Sequence, residues 1–205
     1  MDELRYWIAC GLLVGLPPGL LFWLCIHPFA GFWRKRGPGW TYGLVGTGLS
    51  LLGGGLFAVR SALLATEYGT DGVCLGLAGV CLGGAGALAH QHRKHLTLRI
   101  LIGLPEISPQ RHPARLLQEG IYARIRHPRY MEVSLSLLGF ALVANYPVVY
   151  VWTTLSLPLL YLIVVFEERE LHRRFGPAYA EYCRRVPRFV PRRRAERAGG
   201  KPSGL

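Results

Sequence analysis

The chain has 205 residues, 51% of them hydrophobic, and its mean hydropathy of +0.25 is too high for a typical soluble domain. A net charge of +12 would indicate nucleic-acid binding in a soluble protein. However, 22 of the 24 lysines and arginines lie between or after apolar segments, which is the pattern of membrane proteins. We therefore expect a membrane protein with no nucleic acid as partner.

The first three membrane spans are predicted over residues 6–26, 42–65 and 72–89, each close to the ~20 residues that a spanning helix needs. Pro17 and Pro18 predict a kink in the first span. The second and third spans are rich in glycine, and small residues let membrane helices approach closely. We therefore expect these two spans to pack on each other.

A further apolar segment, residues 131–166, is too long for one span. As a single helix it would measure ~54 Å, against a hydrocarbon core of ~30 Å. The turn signal Asn145-Tyr146-Pro147 divides it into spans 131–145 and 148–166, which form an antiparallel hairpin. The predicted fold class is thus an all-α membrane protein with five transmembrane helices. We assign one membrane domain to residues 1–191 and a basic, disordered tail to residues 192–205.

The distribution of charge predicts the orientation of these spans. Basic residues cluster at positions 34–36, in segment 90–130 and in the C-terminal tail, whereas the loop with Glu67 and Asp71 has none. The positive-inside rule puts the N-terminus outside and the C-terminus in the cytoplasm. We expect a multi-pass protein of a bacterial inner membrane.

No metal site is predicted from the histidines or cysteines. His90, His92 and His95 lie close in sequence, but only His92 and His95 share a helix face, and no carboxylate or cysteine joins them at ligand spacing. The five cysteines form no C-x-x-C pair, and four of them lie in apolar segments.

Polar residues at both ends of the hairpin predict a site. Arg126, His127 and Tyr130 precede the hairpin, and Glu167 and Glu168 follow it, so an antiparallel arrangement brings them to the same side of the membrane. Charged groups at such a depth are costly unless they are paired or functional. The alternative interpretation is that these residues only mark helix ends, with the glutamates pairing with Arg169 or Arg173 nearby.

The pattern from residue 120 to residue 191 resembles the isoprenylcysteine carboxyl methyltransferase family, membrane enzymes that use S-adenosylmethionine. Residues 127–130 are similar to its His-Pro-x-Tyr element, and Glu167 lies nine residues before Gly176 of a Phe-Gly pair, where the family has a cofactor-binding glutamate. The resemblance implies a methyltransferase with a cytoplasmic cofactor site. It also implies the cofactor-binding residues, which are Ala114, Arg115, Leu116, Leu117, Tyr122, His127, Pro128, Arg129, Tyr130 and Glu167.

Two departures from the family pattern concern the acceptor. Glu132 stands where the family usually has glycine, and Ile163 stands where the eukaryotic enzymes have an arginine for the acceptor carboxylate. We therefore expect a small lipophilic acceptor (carboxylate, thiol, amine or hydroxyl) that reaches the site from the bilayer, with no obligatory prenylcysteine. Arg126 and Glu132 are candidates for acceptor binding. No catalytic residue is assigned, although His127 or Glu132 can act as base for a neutral acceptor.

Two other functions remain as alternatives. Residues 182–187, Tyr-Cys-Arg-Arg-Val-Pro, resemble the end of NADPH-dependent sterol reductases, which also have an Arg-His-Pro-x-Tyr element. The Phe166-Glu167-Glu168-Arg169 segment favours the methyltransferase. A non-catalytic scaffold that binds anionic lipid would need positive charge but no His-Pro-x-Tyr spacing.

Overall fold

The computed structural model describes residues 1–93 and 116–191, and these residues form helices without a β-strand among them. The predicted disordered tail, residues 192–205, lies outside the described residues. A 3₁₀ helix, Gly120–Ala123, precedes α6. The α-helices in chain order are α1 (Asp2–Ile26), α2 (Ala30–Arg36), α3 (Pro38–Ala58), α4 (Arg60–Leu63), α5 (Gly72–His92), α6 (Pro128–Ala144), α7 (Pro147–Phe175) and α8 (Pro177–Arg185).

Four of the described helices, α1, α3, α5 and α7, are long and apolar enough to cross a membrane. The predicted all-α membrane fold is thereby confirmed. Helix α6 has 17 residues, or ~26 Å, which is slightly shorter than a ~30 Å hydrocarbon core. The predicted count of five spans is therefore not confirmed. Helix α1 continues through Pro17 and Pro18 without ending.

The hairpin of α6 and α7 turns at the predicted position. Helix α6 ends at Ala144, Asn145 adopts the left-handed conformation with φ 58° and ψ 47°, and α7 begins at Pro147. Asparagine tolerates this conformation better than most residues. Its side chain donates a hydrogen bond to the carbonyl of Gly69 (2.9 Å) and accepts one from the Tyr150 hydroxyl (2.8 Å). The turn is thus fixed to the loop before α5.

Arg5 joins several elements at this end of the bundle. Its side chain is only 1% exposed, and its Nε donates to the carbonyl of Ala144 at 3.2 Å. Its Nη1 donates to Asp2, and its Nη2 lies 3.1 Å from Glu67 Oε2. We call this the Arg5 end. The basic end is the opposite one, with residues 34–36, 124–129 and 169–188.

The expected packing of the two glycine-rich spans on each other is not what the structure shows. Instead, α3 packs mainly on α1, and α5 packs mainly on α6. At Gly139 of α6, an added Cβ would lie 2.7 Å from Leu82 Cγ of α5. At most glycines of α3 and α5, such as Gly86, an added Cβ would have no neighbouring atom within 4 Å. Their number in the sequence therefore did not identify the partner helix.

The contact at Gly139 gives a first prediction. Gly139→Leu should lower the thermal stability of the detergent-solubilised protein, because overpacking costs about 1–3 kcal/mol. The matched control is Gly86→Leu, where a Cβ meets open space within the same helix pair. Equal melting temperatures for the two variants would contradict the close approach of α5 and α6.

Candidate active site at the basic end

A buried carboxylate organises the basic end. Oε1 of Glu168 accepts hydrogen bonds from Arg126 Nη2 (2.8 Å) and His127 Nε2 (3.0 Å). Its Oε2 accepts from Arg188 Nη2 at 2.6 Å and Nε at 2.9 Å. Side-chain exposure is 8% for Glu168, 9% for Arg126 and 4% for His127. We call these four residues the Glu168 cluster. The alternative interpretation pairs Glu168 with Arg169 or Arg173, whereas the structure pairs it with Arg126, His127 and Arg188.

The segment after α8, residues 186–191, folds back over this cluster. The backbone N–H of Arg126 donates to the carbonyl of Pro187 (2.9 Å), and that of His127 donates to the carbonyl of Arg188 (3.0 Å). These bonds join the segment to the start of α6, which is some sixty residues earlier in the sequence. The C-terminal segment is therefore a structural part of the site.

Glu167 is the second carboxylate at this place. Its side chain is 29% exposed, yet its Oε2 atom is buried and has no hydrogen-bond partner among the described residues. This atom lies 4.0 Å from His127 Nδ1. A buried polar atom without a partner is costly in a folded protein. Glu167 thus offers a negatively charged oxygen to a cationic ligand.

Tyr122 and Arg129 lie near this carboxylate. Burial of the phenol, together with the negative charge of Glu167, raises the pKa of Tyr122 to about 12, so the hydroxyl is neutral at physiological pH. The Arg129 guanidinium lies 5.4 Å from the centre of the Trp23 ring and acts electrostatically on Tyr122. The structure therefore brings Tyr122, His127, Arg129 and Glu167 together.

The remaining predicted cofactor residues are placed differently. Tyr130 lies beside the His127 ring, with 5.7 Å between the ring centres, and Pro128 is the buried first residue of α6. Leu116 packs against the tyrosines of α8, while Leu117 is half-buried. Ala114 and Arg115 lie outside the described residues.

Glu132, a candidate for acceptor binding, is paired with a histidine. His92 Nε2 lies 3.0 Å from Glu132 Oε2, between α5 and α6. Within residues 1–93 and 116–191, no three histidine, cysteine or carboxylate side chains lie close enough to hold a metal. His95 is outside the described part of the chain. Arg126, the other candidate, belongs to the Glu168 cluster.

An apolar groove of about 330 Å³ lies between α6 and α7 next to the site. Tyr130 lines its inner end, and the Phe189 ring, 6.1 Å from His127 between centres, lines it from the C-terminal segment. The His127 ring thus lies near both Glu167 and two residues of the groove, Tyr130 and Phe189. The helical residues that line the groove are Met131, Ser134, Leu135, Leu157, Leu160, Tyr161 and Val164.

Sequence reasoning missed the residues that complete the site from elsewhere. Arg188 and Phe189 lie within residues 120–191, the pattern that resembles the family, but the sequence predicts no role for them. The sequence did contain one signal for Arg188. A glutamate next to an apolar span needs a cation, and the basic residues that can supply it include some that are distant in sequence. No comparable signal points to His27, which interacts electrostatically with Glu167.

The Glu168 cluster gives a second prediction. Glu168→Gln should leave Arg126 and Arg188 without their shared anion, at a cost of about 3–5 kcal/mol. Hydrogen exchange should become faster at the amides of residues 126 and 127, which donate to the C-terminal segment. Glu181→Gln is the control, since Glu181 pairs with Arg184 and Arg185 on the exposed surface of α8. Unchanged exchange in Glu168→Gln would show that backbone bonds alone hold the segment.

Residues 106–178 of the chain match the family model described as phospholipid methyltransferase. The match covers just over a third of the chain and includes the 3₁₀ helix, α6, α7 and the start of α8. This family belongs to the same membrane methyltransferase superfamily as the isoprenylcysteine carboxyl methyltransferases, but the latter family is not confirmed. Neither a curated protein nor a solved structure shows a match to the chain. Together with the apolar helices, the family match indicates a membrane methyltransferase that acts on lipid-type substrates.

Proposed function

We propose that this chain is an integral membrane methyltransferase that moves a methyl group from S-adenosylmethionine to a small lipophilic acceptor. One observation carries the proposal. The buried oxygen of Glu167, which has no hydrogen-bond partner among the described residues, and two residues of the apolar groove, Tyr130 and Phe189, all lie next to His127. A methyl transfer between a charged, water-soluble donor and a membrane-borne acceptor needs these two surfaces next to each other.

The donor side consists of charges of both signs and an aromatic ring. S-adenosylmethionine supplies, when bound, an electrophilic methyl group on a sulfonium, and it also carries an ammonium and a carboxylate. Glu167 suits the ammonium, and Arg129 suits the carboxylate. Tyr122, as a neutral phenol, can pack on the adenosine part. Ala114, Arg115, Leu116 and Leu117 remain expected cofactor contacts on the basis of the resemblance alone.

The acceptor side is apolar, and no arginine or lysine is among the described residues that line the groove. Ile163 is fully buried in a cluster with Leu137 and Leu160, so the position of the expected arginine contributes only to packing. Arg188 does reach the groove residue Tyr161, whose hydroxyl accepts a bond from its Nη1 at 2.7 Å. However, Nε and Nη2 of Arg188 donate hydrogen bonds to Glu168. A carboxylate acceptor therefore has no dedicated partner among the groove-lining residues described here.

The reaction requires little of the protein beyond the alignment of the acceptor with the methyl group of the donor. Methyl transfer is an in-line displacement, which is fast when acceptor and methyl group are held about 3–3.5 Å apart. A carboxylate or thiolate acceptor needs no base. For a neutral amine or hydroxyl, His127 is the candidate, because Glu168 holds its Nε2 and leaves Nδ1 for the proton. Glu132, bonded to His92, does not line the groove.

This function also requires an orientation. The donor is water-soluble and cytoplasmic, so the basic end must face the cytoplasm, in agreement with the positive-inside rule. We therefore propose that the N-terminus lies outside and the C-terminus inside, in a bacterial inner membrane. In sealed vesicles, labelled donor should bind from outside only when the vesicles are inverted, and binding to right-side-out vesicles would refute this orientation.

A third prediction concerns donor binding. Glu167→Gln should weaken binding of S-adenosylmethionine by about 2–5 kcal/mol, because one partner of a partly desolvated charge pair is lost. Titration calorimetry on the purified protein measures this effect directly. The control Glu181→Gln removes an equal charge from the surface of α8 and should bind as the native chain does. Full affinity in Glu167→Gln would mean that Glu167 only marks a helix end.

The same calorimetry separates the alternative functions. A sterol-type reductase would bind NADPH and not S-adenosylmethionine, and a non-catalytic scaffold would bind neither. If heat of binding is measured with NADPH but not with S-adenosylmethionine, the proposed methyltransferase function is overturned.

A fourth prediction concerns the acceptor. Leu157→Trp should fill the groove from α7 and raise KM for the acceptor by about tenfold or more, while donor affinity is unchanged. Leu155→Trp is the control, since Leu155 is on the same helix, is 52% exposed and does not line the groove. The assay follows transfer from labelled donor to small thiols, phenols, amines and membrane lipid extracts.

A prenylcysteine analogue belongs in the same acceptor assay. We expect it to be methylated poorly, because Ile163 provides no cation for its carboxylate. Efficient methylation that is unaffected by Ile163→Arg would disprove this expectation about the acceptor.

A further inference from the structure

The last turn of α1 lies beside the candidate active site. Helix α1 packs on both α6 and α7. Near its end, Trp23 packs against the same apolar cluster as Tyr130. The Arg129 guanidinium lies over the Trp23 ring, 5.4 Å from its centre. The N-terminal helix thus adjoins the start of α6, although it lies outside residues 106–178, which match the family model.

His27, which directly follows α1, is a buried polar side chain without a hydrogen-bond partner. It is only 5% exposed, and neither of its ring nitrogens is hydrogen-bonded within the described part of the chain. The ring stacks on Trp23, with centres 4.9 Å apart and 19° between the planes, and this contact fixes its orientation. Buried polar atoms without a partner need an explanation.

The charged groups around His27 include those of the candidate donor site. The carboxylate of Glu167 and the guanidinium of Arg129 both act electrostatically on its ring, as does Glu170. The same Glu167 and Arg129 also act on Tyr122. His27 and Tyr122 therefore share two charged neighbours, which His27 reaches from the end of α1 and Tyr122 from the 3₁₀ helix.

The His27 ring is suited to a cation. Burial lowers the pKa of His27, so at physiological pH the ring is neutral and has one acceptor nitrogen. Of the two carboxylates that act on it, Glu170 is ion-paired with Arg34. Glu167 instead has a buried oxygen without a hydrogen-bond partner among the described residues. An ammonium group has three N–H donors, so it can use acceptors on both Glu167 and His27.

We propose that His27 is a donor-binding residue, whose acceptor nitrogen receives a hydrogen bond from the ammonium of S-adenosylmethionine while Glu167 binds the same group. This inference rests on the proposed function, because it adds a residue to the same site. Trp23 is a positioning residue, since its ring stacks on His27 and lies under the Arg129 guanidinium. Helix α1 is then part of the donor site as well as a membrane span.

Titration calorimetry on the purified full-length protein tests the role of His27. His27→Phe keeps an aromatic ring on Trp23 but removes both nitrogens, and it should weaken binding of S-adenosylmethionine about tenfold or more. His27→Gln keeps an acceptor and should bind more tightly than His27→Phe, with melting temperatures measured to compare folding. His172→Phe is the matched control, because His172 is exposed on α7 and its ring contacts Tyr179 edge to face.

Two thioether analogues of the donor identify the group that His27 binds. One lacks the amino group and the other lacks the carboxylate. His27→Phe should bind the first as the native chain does and should bind the second more weakly than the native chain. Glu167→Leu, which retains His27, should still bind the analogue with the amino group more tightly than the one without it.

The outcomes separate this inference from the proposed function. If the native chain does not bind S-adenosylmethionine, both are overturned. If Glu167→Gln weakens binding but His27→Phe binds as His172→Phe does, only the role of His27 is overturned. Equal losses of affinity for the two analogues in His27→Phe would also overturn it, as would a Glu167→Leu variant that does not distinguish between them.

Discussion

The pairing of the Glu168 carboxylate with two arginines and a histidine is the interaction on which the basic end depends. A carboxylate that is 8% exposed cannot remain charged unless cations and hydrogen-bond donors surround it. The donors come from two places in the chain, the residues before α6 and the segment after α8, and α7 supplies the acceptor Glu168. Satisfying this one charge therefore fixes the His127 ring, positions Phe189 at the groove and closes the C-terminal segment over the helix ends.

The two ends of the bundle use buried charge for different purposes. At the Arg5 end, each nitrogen of the Arg5 guanidinium lies close to a carboxylate or carbonyl oxygen of this chain. Because one of these is the carbonyl of Ala144, the contacts help to hold the turn between α6 and α7. At the basic end, Glu167 Oε2 and the ring nitrogens of His27 have no hydrogen-bond partner among the described residues. A buried polar atom of this kind needs an explanation, and for Glu167 the proposed function supplies one in the cationic donor.

Much of the architecture could be predicted from the sequence, because the bilayer imposes length and charge rules. Residues 131–166 must divide into two helices because one helix of that length would exceed the bilayer. The position of the turn is predictable because Asn145 tolerates the left-handed conformation. The closeness of His127 and Glu167 follows from the hairpin. Helix partners could not be predicted, since glycine permits close approach without specifying which helix approaches. The partners of Glu168 could not be predicted either, because arginine side chains are long and the return of segment 186–191 has no periodic signal.

The folding back of the C-terminal segment also has a consequence for biosynthesis. Arg188 and Phe189 are translated after all the helices that they complete, so a nascent chain with α1 to α7 inserted still lacks two parts of the Glu168 cluster and groove. The Glu168 cluster is then complete only after these residues have left the ribosome and folded back. A partly synthesised chain would thus be inserted but would lack the complete cluster, and truncation within α8 would have the same effect.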